Sequence, residues 1–151
     1  MRTGGVSIMT PHKQRLAHRP SQGLYGDCHR TCIACLLDVD PADVPHPYAG
    51  GMLDADEANA VIDSWLGSLY GLRQVHFAYH GEMDRQQVLD TVKHFNPGLA
   101  FILGGSSRNG VGHLVIARDG EIIHDPSQDD SGIVGPAPDG FWWVTILARA
   151  T

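Results

Sequence analysis

Six consecutive residues, Cys32-Ile33-Ala34-Cys35-Leu36-Leu37, are apolar on every side. At helical spacing such a run has no polar stripe to turn toward water, so a helix containing it belongs inside the protein. The chain has 151 residues, enough for one domain with a single core. Whatever it folds into must therefore wrap this helix with the elements that follow. The helix is predicted from about Cys28 to Leu37, with Asp27 as the N-cap whose carboxylate accepts from the free N–H groups of the first turn.

The downstream pattern supplies the wrapping. Asp40-Pro41-Ala42-Asp43 reads as a short capped turn. Asp54 and Glu57 form a capping-box pair ahead of a helical stripe of Ala58, Val61, Ile62, Trp65, Leu66 and Leu69, which Gly71 ends. Residues 73–79 read as a strand. A third helix begins at Asp84, boxed by Gln87 and stapled by Met83 on Val88, with Val88, Leu89, Val92 and Phe95 as its buried face. Asn96-Pro97-Gly98 stops it. Strands are then expected at Leu99–Leu103, Val111–Ala117, Glu121–His124 and Phe141–Ala148. Helices first and strands last predict an α+β fold with an antiparallel sheet. Residues 1–21 read as a flexible lead-in and 22–151 as the single domain.

Composition narrows the function classes. Hydrophobic residues make up 42% and charged residues 19%, ordinary for a globular domain. The formal charge is -6 and Lys and Arg form no run, which argues against a nucleic-acid partner. No apolar stretch reaches bilayer length and no signal-peptide core opens the chain, so a cytoplasmic protein without membrane contact is expected. The cysteines are three, all within Cys28–Cys35, a poor disulfide framework.

Chemistry concentrates at two places. Gln22-Gly23-Leu24-Tyr25-Gly26-Asp27-Cys28 leads into the first helix, and Gly112-His113 and His124-Asp125-Pro126 lie on two later strands. A thiol at a helix start gains from the helix dipole and the free N–H groups there. His113 is placed to act as base, Asp125 to orient its imidazole, and the Cys28 N–H and Gln22 amide to donate to an oxyanion. Each residue also has a plainer role: buried thiol, packed strand histidine, Asp-Pro turn, exposed loop amide. Cys32 and Cys35 are read as structural, and His124 as the rival base on the opposite strand face. The hairpin decides between the two histidines. A two-residue Asp119-Gly120 turn points Asp125 away from His113; a three-residue Arg118-Asp119-Gly120 loop, or a bulge, brings it back.

Gln-x5-Cys at a helix start, then Gly-His on a strand and Asp-Pro on the next, resembles papain-like cysteine peptidases. The likeness is nearest to the compact bacterial and phage branch related to bacteriocin-leader peptidases. It spans Gln22 to about Ser127, with Ala34-Cys35-Leu36-Leu37 and Asp43-Val44-Pro45-His46 also fitting. The resemblance implies Cys28 as nucleophile, His113 as base, Asp125 as orienter and Gln22 as oxyanion donor. It also implies an aromatic shield for the base–acid pair, with Trp142 and Trp143 as candidates. The expected substrate is a peptide or amide, with no cofactor and no metal. The same triad serves acyl transfer or transglutamination, and the fold also serves as a binding module without turnover. Cys28-x3-Cys32-x2-Cys35 matches iron–sulfur spacing as well, but it lies on an apolar helix rather than an open loop. Zinc on these cysteines, His29 or His76-x3-His80 lacks the paired spacing of structural sites.

Overall fold

A computed structural model describes residues 9–16, 26–50 and 54–150. The apolar run lies in α1 (Cys28–Leu37), which ends where Asp38 turns left-handed and its N–H bonds the carbonyls of Ala34 and Cys35. After a 3-10 turn at Pro41–Asp43 come α2 (Ala55–Tyr70), β1 (Leu72–His80), α3 (Arg85–Phe95), β2 (Phe101–Ser106), β3 (Gly112–Arg118), β4 (Glu121–His124) and β5 (Phe141–Arg149). The strands form one antiparallel sheet in the order β1-β5-β2-β3-β4. The fold is mixed α+β.

Strand alternation builds two cores, one on each face of that sheet. Leu103 and Val115 face Val88, Leu89 and Val92 of α3. Their neighbours Ile102 and Ile116 face α1 and residues Ile62 and Leu66 of α2. α1 is thus enclosed as its composition demands: Cys32, Ile33, Ala34 and Cys35 have no exposed surface. The capping box at Asp84 and Gln87 forms in both directions. At α2 the Asp54 carboxylate accepts from the Glu57 N–H at 2.8 Å, the one half of the expected box that forms.

Four expectations need correction. Phe95, the last residue of α3, is 72% exposed, and Val61 and Leu69 of α2 also face solvent. Asp27 caps nothing with its side chain. Its buried carboxylate instead accepts from the backbone N–H groups of Arg15 and Leu16 at 3.1 and 3.0 Å and from Arg30 Nε at 3.1 Å. Residues 9–16, read as part of a loose lead-in, form a strap along α1. Thr10 bonds Asp38, the His12 N–H meets Cys35 Sγ at 3.3 Å, and the Gln14 N–H meets the Pro126 carbonyl at 2.6 Å.

Candidate active site

The site is set by a one-residue irregularity in the β3–β4 hairpin. Arg118 pairs with Glu121 and Ala117 with Ile122, so the turn is the two-residue form, with Asp119 and Gly120 both at positive φ. That register alone would turn Asp125 away from His113. Ile116, however, pairs with His124, so Ile123 is an extra residue forming a bulge. The bulge reverses the alternation and returns Asp125 to the side of His113. His113 Nε2 lies 2.7 Å from Asp125 Oδ1, and the His113 side chain is buried. His124 goes to the other side, its Nε2 bonding the His12 carbonyl.

Asp125 is held from several directions. Its Oδ1 also accepts from the Ser127 N–H at 2.9 Å and its Oδ2 from the Gly132 N–H at 2.7 Å. Lys13 Nζ bonds the Asp125 carbonyl at 2.8 Å. Burial alone would raise the carboxyl's pKa. The bonds from His113, Ser127 and Gly132 outweigh it and bring the carboxyl down to about 2. Asp125 is therefore a fixed anion that orients His113 and fixes Nε2 as its protonated nitrogen, leaving Nδ1 for proton exchange.

Cys28 opens α1 and, with His113, lines a cleft of about 980 Å³. No hydrogen bond joins the two residues; the thiol lies against the N–H of Leu114, the residue after His113. The helix start led to the expectation of a more acidic thiol. The structure gives the reverse. Burial pushes the Cys28 thiol up to about 11, the Asp27 carboxylate adds to the rise, and the N–H groups of Leu114, His29 and Cys28 oppose it only in part. Burial also raises the Cys32 and Cys35 thiols, and all three cysteines are free. Gln22 lies outside the described residues.

Further polar residues lie at the cleft, His29, Asn59, His76 and Thr145, of which the sequence drew attention only to the two histidines, as zinc candidates. His29 Nε2 lies 2.7 Å from Gln74 Oε1, and Gln74 Nε2 donates to Asn59 Oδ1 and Asp63 Oδ1. Gln74's donor end is thus committed, so His29 presents its Nε2–H to it. His76 Nδ1 lies 2.7 Å from Thr145 Oγ1. Burial lowers the pKa of both histidines, so these rings favour the neutral form. Trp143 lines the cleft with its indole N–H on Asp139 at 2.7 Å, whereas Trp142 is packed into the α3 core and bonds the Met83 carbonyl. The rim also takes Tyr48 from the loop before α2, Gly104 and Gly105 from β2, and Ser107 and Asn109 from the β2–β3 loop. Among the described residues, no three His, Cys, Asp or Glu side chains are grouped as a metal site. No helix among them is long and apolar enough to cross a membrane.

Gln14 also lines the cleft, beside the loop that carries Asp125. No local sequence signal marks it, since its partners Pro126 and Gln128 are more than a hundred residues away. No protein-family model, curated protein or solved structure matches the chain.

Proposed function

We propose that the protein is a thiol-dependent hydrolase of amide or peptide-like bonds with a papain-like arrangement of Cys28, His113 and Asp125. One observation carries the reading: the 2.7 Å His113–Asp125 pair, made possible by a bulge, opens on a cleft shared with a cysteine at a helix start. With Nε2 committed to Asp125, Nδ1 is the nitrogen that takes the Cys28 proton. The sulfur attacks the substrate carbonyl carbon, and the oxyanion is met by the Cys28 N–H, with Gln22 as the side-chain donor of this reading. Collapse breaks the C–N bond, and the leaving amine takes the proton back from His113. Water then attacks the thioester, giving its proton to His113 and releasing the acid and the thiol. Because burial keeps the resting thiol neutral, proton removal accompanies attack rather than preceding it.

The test is turnover of a peptide library, followed as new termini by mass spectrometry. Cys28→Ala and His113→Ala are expected to lower the rate by about 10³-fold or more and Asp125→Asn by about 10²–10⁴-fold. His124→Ala should leave it within about twofold. Cleavage that persists in Cys28→Ala, or that follows His124 instead of His113, would falsify the assignment. A second reading, a binding module that keeps the fold without turnover, is favoured by the raised thiol and the missing Cys28–His113 bond. It predicts ligand retention in the cleft with no product and no hydroxylamine-sensitive acyl-enzyme. Acyl transfer to an amine in place of water is the third outcome, seen as a ligated product.

A further inference from the structure

Gln14 Oε1 is the one buried side-chain nitrogen or oxygen among the described residues with no hydrogen-bond partner. Everything else on the residue is used. Its N–H bonds the Pro126 carbonyl at 2.6 Å, its carbonyl accepts from Gln128 Nε2 at 3.1 Å, and its side-chain Nε2 donates to the Leu16 carbonyl at 2.6 Å. The last bond fixes the amide's orientation, because the flipped form would set two carbonyl oxygens against each other. The residue is 8% exposed and lines the cleft of Cys28 and His113. A buried acceptor left unmade costs free energy unless a ligand or water completes it.

We infer that Gln14 is a substrate-contacting, specificity-determining residue whose Oε1 accepts an N–H from the bound molecule. The inference rests on the hydrolase reading and narrows it. The helix start at Cys28 offers donors for a carbonyl oxygen, and Gln14 offers an acceptor. Together they match the two ends of an amide that keeps its hydrogen. Esters, thioesters and N-alkylated amides such as a bond to proline present a carbonyl but no N–H, and would leave Oε1 desolvated and unpaired.

Labelling rather than turnover tests this, so that its failure is separable from that of the hydrolase reading. The probes are N-benzyl-2-chloroacetamide and its N-methyl counterpart, both of which alkylate a thiol with loss of chloride. The rate of Cys28 alkylation by each is read by intact-protein mass and divided by the rate with glutathione. The expected result is a preference of about tenfold for the N–H probe in the wild type. It should fall to about one in Gln14→Met, with Gln14→Asn as a second variant that withdraws the same oxygen by one methylene. The wild-type comparison needs no variant to fold. A normalised ratio of one in the wild type, or a preference kept in both variants, overturns the inference. A tenfold preference in a protein that turns nothing over keeps the subsite and removes the hydrolase.

Discussion

Among the three cysteines, Cys28 alone has part of its surface in solvent; Cys32 and Cys35 are closed in. Iodoacetamide is therefore expected to modify Cys28 first and the other two only on unfolding, as peptide mapping of timed samples will show. Equal labelling of all three would contradict the placement of α1. The rate at Cys28 should climb about tenfold per pH unit from neutral upward, because the thiol is pushed up to about 11 and the thiolate is the reacting form. A plateau near neutral pH would mean that an imidazolium partner lowers the thiol after all. Asp125 leaves a signature at the acid end. Its carboxyl titrates lower in the folded chain, about 2, than the unfolded value near ~3.9. Its contribution to stability is thus complete above that unfolded value and drains away as pH falls toward 2. Urea midpoints for wild type and Asp125→Asn should converge across that window; parallel curves would refute the linkage.

At the scale of elements, the hairpin and the strap decide the site, and they differ in how far the sequence reveals them. The boundaries of α1 and the box at Asp84 and Gln87 were legible because their causes lie within a few residues. The bulge was legible only as a condition: alternation shows that Asp125 needs one, but nothing local to Ile123 requires it. The role of Asp27 was not legible. A carboxylate before a helix is ordinarily a cap, and here two N–H groups of the strap and Arg30 win it away. Asp27→Ala should accordingly cost about 3 kcal/mol, as for a broken buried ion pair, rather than the ~1 kcal/mol of a lost cap. Urea unfolding measures the loss, and hydrogen exchange at the Arg15 and Leu16 amides should speed up with it. Gly105→Ala tests the loop behind Asp125. A Cβ there would stand 2.5 Å from the Gly135 carbonyl and 2.7 Å from Ile133 Cγ2. Backbone has to move, at a cost of about 1–3 kcal/mol. The Gly132 bond to Asp125 should loosen as well, raising the carboxyl's titration in an NMR series.

Over the whole molecule, two cores share one sheet, with α1 and α2 packed on one face, and the cleft is lined by α1, α2, the strands β1, β2, β3 and β5 and the loop after β4. α3 supports the other side without contributing to the cleft lining. A truncation such as Leu89→Ala, expected to cost about 2–5 kcal/mol, should therefore lower stability while leaving Cys28 labelling in the remaining folded protein unchanged. Isothermal denaturation paired with labelling checks both halves; altered labelling at constant folded fraction would show that the two layers are coupled. The layering explains why general architecture was readable from helix stripes and strand alternation while the His29–Gln74–Asp63 chain of hydrogen bonds beside the cleft was not. Those residues come from α1, β1 and α2, and only the assembled sheet brings them together.

Ile123 gives the site an unusual relation to chain length. The ladder pairs Ala117 with Ile122 and then Ile116 with His124, so the intervening residue is counted by the chain but not by the sheet. A gene lacking that single codon would encode a regular hairpin in which His124 still meets Ile116 and Asp125 still follows it. One codon removed at Ile123 should thus be tolerated, with the His113 ring keeping its Nε2–H tautomer in nitrogen NMR spectra. Removing the Ile122 codon yields the same Glu-Ile-His-Asp sequence and must behave identically, whereas one residue inserted into this stretch has no such slack: either the bulge widens or Asp125 exchanges sides with His124. The candidate acid is specified less by its distance along the chain than by whether the number of residues the ladder counts before it is odd or even.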